Sequence, residues 1–327
     1  MNQFGNYFRL SIYGESHGVA VGIIIDGVPS GIELVEADFL TDLSRRKSGP
    51  IGTTKRIEED LPIFISGVFN GRTTGAPLHI QFKNKDIRSE DYKNLKFTPR
   101  PGHADFTALR KYNGYNDPRG GGHFSGRLTL PLVAAGVIAK KIVKQIKIVA
   151  SILEIGGMTD FEKAIDHAIQ QNDSIGGIIE CVSSDVPIGW GEPFFNSVES
   201  LISHLIFSIP AIKGIEFGVG FTAAKMNGSQ HNDVIESVEG RTKTNNSGGI
   251  NGGITNGNEL VFRVVVKPTS SIGKIQNTLN FENSKIEALE IIGRHDVCIA
   301  LRVPVVVEAI TAIALAEFYL TQKVQNL

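Results

Sequence analysis

Apolar runs with the spacing of β-strands recur along the whole chain. Residues 8–12 alternate apolar and polar positions, and residues 19–25 are mostly apolar, so both segments are predicted to be strands. A polar turn flanked by glycines separates them. The same criteria predict strands at 63–69 and 78–82, paired around Asn70-Gly71, and further strands at 146–155, 175–182, 212–221 and 260–266.

Helical periodicity indicates helices of two kinds. Residues 128–143 are apolar nearly all round and 305–319 form a final apolar helix, which is typical of helices buried on most faces. Residues 229–258 show no period and form a longer connection than usual, as functional or disordered loops do. Amphipathic helices are predicted from Phe39, Leu40 and Leu43; from Ala164, Ile165, Ala168 and Ile169, with Asp160 as N-cap; and from Val198, Leu201, Ile202, Leu205 and Ile206.

Two parts of the chain repeat the same order of elements. Gly22-Ile-Ile and Gly177-Ile-Ile each precede a Val-Pro-x-Gly turn and then a helix. Asn70-Gly71 and Asn256-Gly257 each precede a strand that ends at a lysine. The repetition indicates a duplicated β-α-β unit, with two sheet-and-helix layers about a pseudo-twofold axis. We therefore predict a single domain over residues 1–327 with an internal duplication.

Composition and charge narrow the class of protein. The hydrophobic content of 41% and charged content of 20% are typical of a soluble globular protein with a sizeable core. The net charge of -1 argues against bulk nucleic-acid binding, so an anion site requires a local concentration of Arg and Lys. Cys181 and Cys298 lack metal-site spacing and suit a reducing cytosol. Without a signal-peptide pattern or a run of about 20 apolar residues, we predict a cytoplasmic protein without membrane partners.

The densest group of ionisable residues lies between Pro99 and Arg127, on a backbone punctuated by Gly and Pro. A solvated basic loop is one interpretation of such a segment taken alone. The other is a loop that holds an anion and moves protons near it, because cations and histidines stand beside turns that permit close approach. The ionisable residues are Arg100, His103, Asp105, Arg110, Lys111, Arg119, His123 and Arg127.

Further polar clusters interrupt the predicted elements. In Gly14-Glu-Ser-His-Gly18 the glycines let His17 reach a ligand, although a turn histidine without a task has the same pattern. Arg45-Arg46-Lys47 ends a predicted helix, where either the helix dipole or an anionic substrate would favour cations. Lys267-Pro-Thr-Ser-Ser271 and Gly293-Arg-His-Asp296 add hydroxyls, cations and a carboxylate. Together these clusters indicate an anion-binding active site.

These motifs together closely resemble the chorismate synthase family. The resemblance runs in chain order from near Phe8 to near Ala312, almost the whole chain. It implies an α+β fold, a β-α-β sandwich with duplicated sheet-and-helix layers. It also implies an enzyme that converts 5-enolpyruvylshikimate 3-phosphate to chorismate by anti-1,4-elimination of phosphate and a proton. The motifs that carry it are Gly14 to Gly18, Arg100-Pro-Gly-His-Ala-Asp105, Asn246-Ser-Gly-Gly-Ile250 with Gly252-Gly-Ile254, Lys267-Pro and Gly293-Arg-His-Asp296.

The resemblance further implies a cofactor, reduced FMN, although the reaction has no net redox change. His17 would give a proton to the departing phosphate, and His103 would keep the reduced flavin anionic or protonate it near N1. Asp296 would assist flavin N5 in removing the substrate proton. Arg46 and Arg127 would bind the anionic substrate, and residues 229–258 would cover the flavin. The flavin contacts implied are Ser125, Pro210, Ala211, Gly252, Lys267, Pro268, Thr269, Ser270, Ser271 and Arg294.

The chain departs from the family pattern in two places. Many members carry Gly-Arg-Ser-Ser-Ala-Arg-Glu-Thr at the positions of residues 122–129. This chain keeps Ser125 and Arg127 there, but it has His123, Phe124 and Leu128 in place of an arginine, a serine and a glutamate. A family arginine also has no counterpart near Ile51, which weakens an NAD(P)H-binding role. NAD(P)H and an external reductant therefore stay alternatives as the source of electrons. The family further implies a homotetramer that acts on a small molecule.

Two other functions fit parts of the pattern. A metal-dependent phosphohydrolase could use His17, His103, Asp105 and Asp296 as ligands. A nucleotide- or RNA-binding module could use the Arg-rich loops. The single Trp, the sparse aromatic residues and the absence of a basic excess argue against nucleic acid as a partner.

Overall fold

Two antiparallel sheets enclose a layer of helices in the computed structural model, which describes residues 2–54, 56, 58–86, 97–291 and 295–325. Most of the predicted elements are present within one to four residues of their expected ends. Over the described residues the strands are β1 (Gln3–Phe4), β2 (Arg9–Gly14), β3 (Ala20–Asp26), β4 (Ile63–Ser66), β5 (Val68–Phe69), β6 (Arg72–Thr73), β7 (Leu78–Lys83), β8 (Lys147–Ile155), β9 (Gly177–Ser184), β10 (Ile212–Phe217), β11 (Ile250–Asn251), β12 (Ile254–Thr255), β13 (Leu260–Val266), β14 (Gln276–Asn280) and β15 (Lys285–Leu289). The α-helices over the same residues are α1 (Ala37–Arg46), α2 (Asp105–Lys111), α3 (Thr129–Ile142), α4 (Phe161–Gln170), α5 (Val198–Ile206), α6 (Gly228–His231) and α7 (Pro304–Gln325).

The layers form an α+β sandwich. One sheet has the order β1-β2-β3-β7-β4, and the other has the order β10-β13-β9-β8. Helix α3 packs on β3 and β7, α7 packs on β8 and β9, and the two helices pack on each other. The predicted β-α-β sandwich is therefore confirmed.

Both sheets repeat one connectivity. The strands β2, β3, β4 and β7 lie in the order β2-β3-β7-β4, and β8, β9, β10 and β13 lie in the equivalent order β8-β9-β13-β10. A helix follows the second strand of each set, α1 after β3 and α5 after β9, and another follows the fourth, α3 after β7 and α7 after β13. We propose that the chain is one domain built from a duplicated unit, and the shared strand order supports that proposal.

The two central helices are buried because they are apolar on nearly every face. Every residue of α7 from Val305 to Phe318 is buried. By length and composition α7 could cross a bilayer, which sequence inspection missed, but 78% of its most apolar window is buried inside the protein. That burial is the one expected of a helix enclosed between two sheets.

Several local predictions were wrong. Leu40 is 49% exposed and Ile169 is 39% exposed, because only Phe39 and Leu43 on α1, and Ala164, Ile165 and Ala168 on α4, face the core. The predicted pairing of 63–69 with 78–82 is confirmed by β4 and β7, but the Asn70-Gly71 turn itself joins the short β5 and β6. The β14–β15 hairpin and α2 were not predicted, since the hairpin packs its few apolar residues outside the main core.

The contact of α3 with α7 gives a stability prediction. A Cβ added at Gly136 would lie 2.3 Å from Ala309 Cβ and 2.5 Å from its Cα, so Gly136→Ala must push the helices apart. We expect a loss of about 1–3 kcal/mol in the free energy of unfolding, measured by denaturant titration. Gly228→Ala, in α6 with nothing within 4 Å of the new Cβ, is the matched control. Equal stability of the two variants would contradict the prediction.

Candidate active site

A cavity of about 790 Å³ opens where the two sheets and the central helices meet. Its wall includes the first turns of α3 and α7, the C-terminal end of α1 and the segments that follow β2 and β13. The N-termini of α3 and α7 bring partial positive charge to this wall, which favours an anion. The size is typical of sites for small ligands.

His17 lies in the turn between β2 and β3 and is 8% exposed. Gly120 lies against it and begins a run of three glycines, Gly120, Gly121 and Gly122, with left-handed φ angles of 60°, 80° and 54°. A Cβ at Gly120 would lie 2.6 Å from Nε2 of His17. The turn is further tied by Ser16 N–H, which donates to Gly122 O at 3.0 Å. Glycine is therefore required for the ring to occupy its position.

His103 belongs to a partly buried ionic network. Its Nδ1 lies 2.6 Å from Asp105 Oδ1 and 3.0 Å from Arg100 Nη2. Arg100 also donates from Nε and Nη2 to the Asp105 carboxylate, at 2.7 Å each. Burial opposes ionisation of Asp105, but the hydrogen bonds from Arg100 and His103 outweigh it and hold its pKa far below the usual value. If His103 donates to Asp105, its proton is on Nδ1. If His103 instead accepts from Arg100, Nδ1 is unprotonated and the proton is on Nε2. Each neutral form of the ring therefore has a hydrogen-bond partner.

Two hydrogen-bond donors hold the Asp296 carboxylate in the segment that precedes α7. Its Oδ1 accepts from Thr54 N–H at 3.0 Å and from Arg302 Nη1 at 3.1 Å. Arg302 also donates from Nε to Arg46 O at 2.8 Å. The carboxylate is thereby fixed in the cavity beside the end of α1.

Two buried arginines flank a buried carboxylate in the same wall. Arg127 Nη1 forms an ion pair with Asp60, and Arg46 Nη1 lies 3.8 Å from Asp60 Oδ2. Arg46 also donates to Thr129 Oγ1 and Gly126 O, both at 2.9 Å. Burial lowers the pKa of Arg46 to about 9, helped by the charge of Arg302, so Arg46 is still a cation at neutral pH. The pair forms a cationic wall that Asp60 compensates only in part.

The segment after β13 lies opposite these cations. Lys267 Nζ donates to Gly102 O at 2.6 Å, and Ser270 Oγ donates to the same carbonyl at 2.8 Å. Ser271 Oγ accepts from Arg100 at 3.0 Å. These contacts join the segment to the loop that carries His103. Ala211, with a left-handed φ of 74°, accepts from Lys267 N–H at 2.9 Å and brings the turn before β10 to the same place.

The cavity gathers most of the predicted site residues from distant parts of the chain. Arg294 lies outside the described residues. The predicted residues that line the cavity are His17, His103, Asp296, Ser125, Pro210, Ala211, Lys267, Pro268, Thr269, Ser270, Ser271, Arg46 and Arg127.

Gly252 does not line the cavity. It lies in the β11–β12 turn, where Thr255 N–H donates to Trp190 O at 2.9 Å, and Trp190 packs on Tyr319. Val306, at the other end of α7, lines the cavity. The helical rise from 306 to 319 separates the two places by about 20 Å. Within one chain, Gly252 is therefore remote from the other predicted flavin contacts.

Sequence reasoning missed some members of the site. Arg56 donates from Nη1 to Ser16 Oγ at 2.8 Å, beside His17, and Asp60 and Arg302 are described above. Arg56 and Asp60 lie in a charged segment without periodicity, which gives no local signal, whereas the charge of Arg302 in an apolar context could have indicated a role. Arg45, by contrast, pairs at 2.7 Å with both oxygens of Glu308, away from the cavity lining.

The residues that depart from the family pattern have structural contacts. His123 Nδ1 lies 2.8 Å from Gly14 O, and its Nε2 lies 3.1 Å from Asn2 Oδ1. The ring thus ties the chain's first residues to the turn that carries His17. The phosphohydrolase alternative gains no support, since the described residues contain no group of three His, Cys, Asp or Glu side chains placed to hold a metal ion.

Fold and cavity together define an enzyme-like site with a cationic wall, built across a β-α-β sandwich. The family model for chorismate synthase matches residues 8–320. A chorismate synthase of Chitinophaga pinensis is 60% identical, over 100% of this chain and 98% of that protein. One of Korarchaeum cryptofilum is 43% identical, over 96% of each chain. A chorismate synthase crystal structure superposes with a TM-score of 0.73 at 28% identity, over 98% of this chain and 93% of the other.

The chain belongs to the chorismate synthase family. It is an enzyme, a lyase that forms chorismate. The family resemblance seen in the motifs is confirmed by a match that extends over nearly the whole chain.

The fit of His17 against the glycines can be tested directly. In Gly120→Ala the new Cβ displaces His17, and a displacement of about 1 Å at a reacting group costs roughly 100-fold in rate. We expect kcat for chorismate formation to fall by about that factor. Gly71→Ala has a similar φ of 69° but nothing within 4 Å of its Cβ, so it carries the backbone strain alone. Equal activity of the two variants would show that the contact with His17 is unimportant.

Proposed function

We propose that this enzyme eliminates phosphate and a proton from 5-enolpyruvylshikimate 3-phosphate in the cavity described above, with reduced FMN as cofactor. The observation that carries the proposal is the convergence of Arg46, Arg127, His17, His103 and Asp296 on one cavity. The substrate bears a phosphate and two carboxylates, and a protein with a net charge of -1 needs such a local cationic wall to bind it. Arg294 is a further proposed ligand.

His17 is proposed to protonate the departing phosphate. A phosphate dianion leaves faster when a proton or a cation is supplied as the bond breaks. The ring is buried, Gly120 lies against it, and His17 and Arg127 line the same cavity. Arg46 and Arg127 would stabilise the charge that develops on the phosphate oxygens.

The 267–271 segment has the donors that a phosphorylated cofactor needs. Thr269 Oγ1 is buried and has no hydrogen-bond partner among the described residues, which fits a ligand contact at that atom. Lys267 adds a cation, and Ser270, Ser271, Ala211 and Ser125 line the same space. When bound there, reduced FMN supplies electron density to the substrate as phosphate leaves.

His103 and Asp296 are proposed to handle the other protons. Asp105 and Arg100 give His103 a partner for either protonation form, so the ring can hold a proton near N1 of the flavin or keep that nitrogen anionic. Asp296 is proposed to help remove the substrate proton, with its carboxylate oriented by Thr54 and Arg302.

A homotetramer is proposed for the assembly, with the cytoplasm as its location and no nucleic-acid or membrane partner. The position of Gly252 supports an assembly of some kind. If Gly252 contacts the flavin, a second copy would bring it, because Gly252 does not line the cavity of its own chain. Sedimentation of the purified protein with and without FMN tests the assembly.

The source of electrons requires its own assay. NADPH oxidation by the anaerobic enzyme with FMN present would assign the reduction to this chain. Chorismate formation only with photoreduced FMN would assign it to an external reductant. The two results are mutually exclusive under saturating NADPH.

The activity prediction follows from the cofactor proposal. Purified enzyme, photoreduced FMN and 5-enolpyruvylshikimate 3-phosphate should release phosphate and chorismate in equal amounts under anaerobic conditions. Oxidised FMN should give neither product. Turnover with oxidised flavin, or dependence on an added divalent metal, would overturn the proposal and revive a hydrolase.

The two histidines should contribute separately. His17→Ala and His103→Ala are each expected to lower kcat by roughly 10²–10⁴, the usual range for a proton-transfer group. His167→Ala, on an exposed turn of α4, is the control that should leave kcat unchanged. An unaltered rate in either active-site variant would remove that histidine from the mechanism.

Asp105 gives a sharper test of the role of His103. Asp105→Asn keeps the shape of the side chain but removes the charge that contacts His103 Nδ1 and pairs with Arg100. We expect kcat to fall roughly 10–100-fold, as when a group that orients a functional histidine is lost. Asp26→Asn, which breaks an exposed pair with Arg9, should have no effect. A full rate in Asp105→Asn would mean that the network only supports the loop.

A further inference from the structure

One amide side chain, that of Asn84, joins the turn of His17 to Arg127. Asn84 directly follows β7, and its N–H donates to Val19 O at 3.1 Å, which extends the pairing of β7 with β3. The backbone therefore places the Asn84 side chain beside residues 15–18, the turn that leads into β3, which we call the His17 loop.

Both polar atoms of the Asn84 side chain, Nδ2 and Oδ1, form hydrogen bonds. Nδ2 donates to Glu15 O at 3.0 Å and to Gly18 O at 2.8 Å, at the two ends of the His17 loop. Oδ1 accepts from Arg127 Nε at 3.0 Å. Arg127 is held on its other side by the ion pair with Asp60 and by a 3.3 Å contact to Lys83 O. A single side chain thus sets the distance between the loop and the guanidinium.

We propose that Asn84 is a positioning residue that places His17 relative to Arg127. The inference rests on the proposed function, in which His17 protonates the phosphate and Arg127 binds the substrate. Proton transfer requires donor and acceptor within hydrogen-bond reach, so the spacing between the two groups controls the rate. Among the described residues, no other side chain hydrogen-bonds to both ends of the His17 loop and to Arg127.

Asparagine is required because the two connections need opposite polarity. The His17 loop offers carbonyl oxygens, which need N–H donors, whereas Arg127 offers N–H, which needs an acceptor. Asn84→Asp, of the same shape, keeps the acceptor for Arg127 but turns an oxygen towards the Glu15 and Gly18 carbonyls. Asn84→Ala removes both connections. The two variants therefore separate the loop contact from the arginine contact.

The kinetic parameters should divide accordingly. In Asn84→Asp we expect kcat to fall roughly 10–100-fold, from two lost hydrogen bonds and a displaced His17, with KM changed less than about 3-fold. In Asn84→Ala we expect a similar fall in kcat together with a rise in KM of about 3–10-fold, because Arg127 loses one support. Asn280→Ala removes an amide that bridges Glu282 and Glu287 in the β14–β15 hairpin and should change neither parameter.

A double-mutant cycle distinguishes this inference from the function on which it rests. If Asn84 acts through His17, Asn84→Asp should lower kcat strongly in the normal chain and by less than about 2-fold in His17→Ala. An equal fall in both backgrounds, or the same KM in the Asp and Ala variants, would overturn the inference while leaving the role of His17 intact.

The opposite failure is also recognisable. An unchanged kcat in His17→Ala alone would reject the proposed role of His17 and not the hydrogen bonds of Asn84. Thermal unfolding of each variant checks that the fold is retained. Asn84→Asp, which preserves the side-chain shape, decides the case if the alanine variant does not fold.

Discussion

The contact of α3 with α7 supports both the core and the site. The helices approach so closely that a Cβ added at Gly136 would collide with Ala309. Each sheet is covered by one of the two helices. Both helices begin at the cavity, so their relative position decides how Thr129 on α3 and the residues before α7 face each other across it. The same packing that buries the apolar layer therefore fixes the frame of the active site.

Within that frame the site depends on buried charges that are paired but not fully neutralised. Arg127 and Arg46 share Asp60, Arg302 holds Asp296, and Arg100 holds Asp105. A buried cation without such partners would be costly, and one fully neutralised would bind an anion poorly. The Arg127–Asp60 pair joins positions 67 apart in sequence, whereas Arg302–Asp296 and Arg100–Asp105 each lie within one short segment, so the charges hold the loops both to each other and in shape. Function and local stability are coupled at these positions.

Backbone conformation complements this electrostatic design. The left-handed angle of Gly120 lets the chain lie against His17, and the left-handed Ala211 brings the turn before β10 to Lys267. Such an angle costs little at glycine, but at Ala211 it costs free energy and persists only where the surrounding contacts determine it. Here the surrounding contacts are the hydrogen bonds between the same loops. The sheets thus carry a set of short connections whose side chains define the site.

The sequence by itself determined the elements and the motifs of this protein. Strand and helix periods reflect local burial, and turn residues reflect local backbone geometry, so both can be read without knowledge of distant partners. His17, His103 and the 267–271 segment were accessible for the same reason, because each stands in a short motif with its own chemistry.

Only the tertiary structure decided which charges meet. Asp60 contacts Arg127, which is 67 positions away in the sequence, and Asn84 contacts Gly18, which is 66 positions away. No local pattern encodes those contacts. The outward position of Leu40 and the distance of Gly252 from the cavity likewise follow from how the layers pack. Long-range pairs depend on the closure of the whole sandwich, and that closure is set by packing of the two central helices rather than by any single segment.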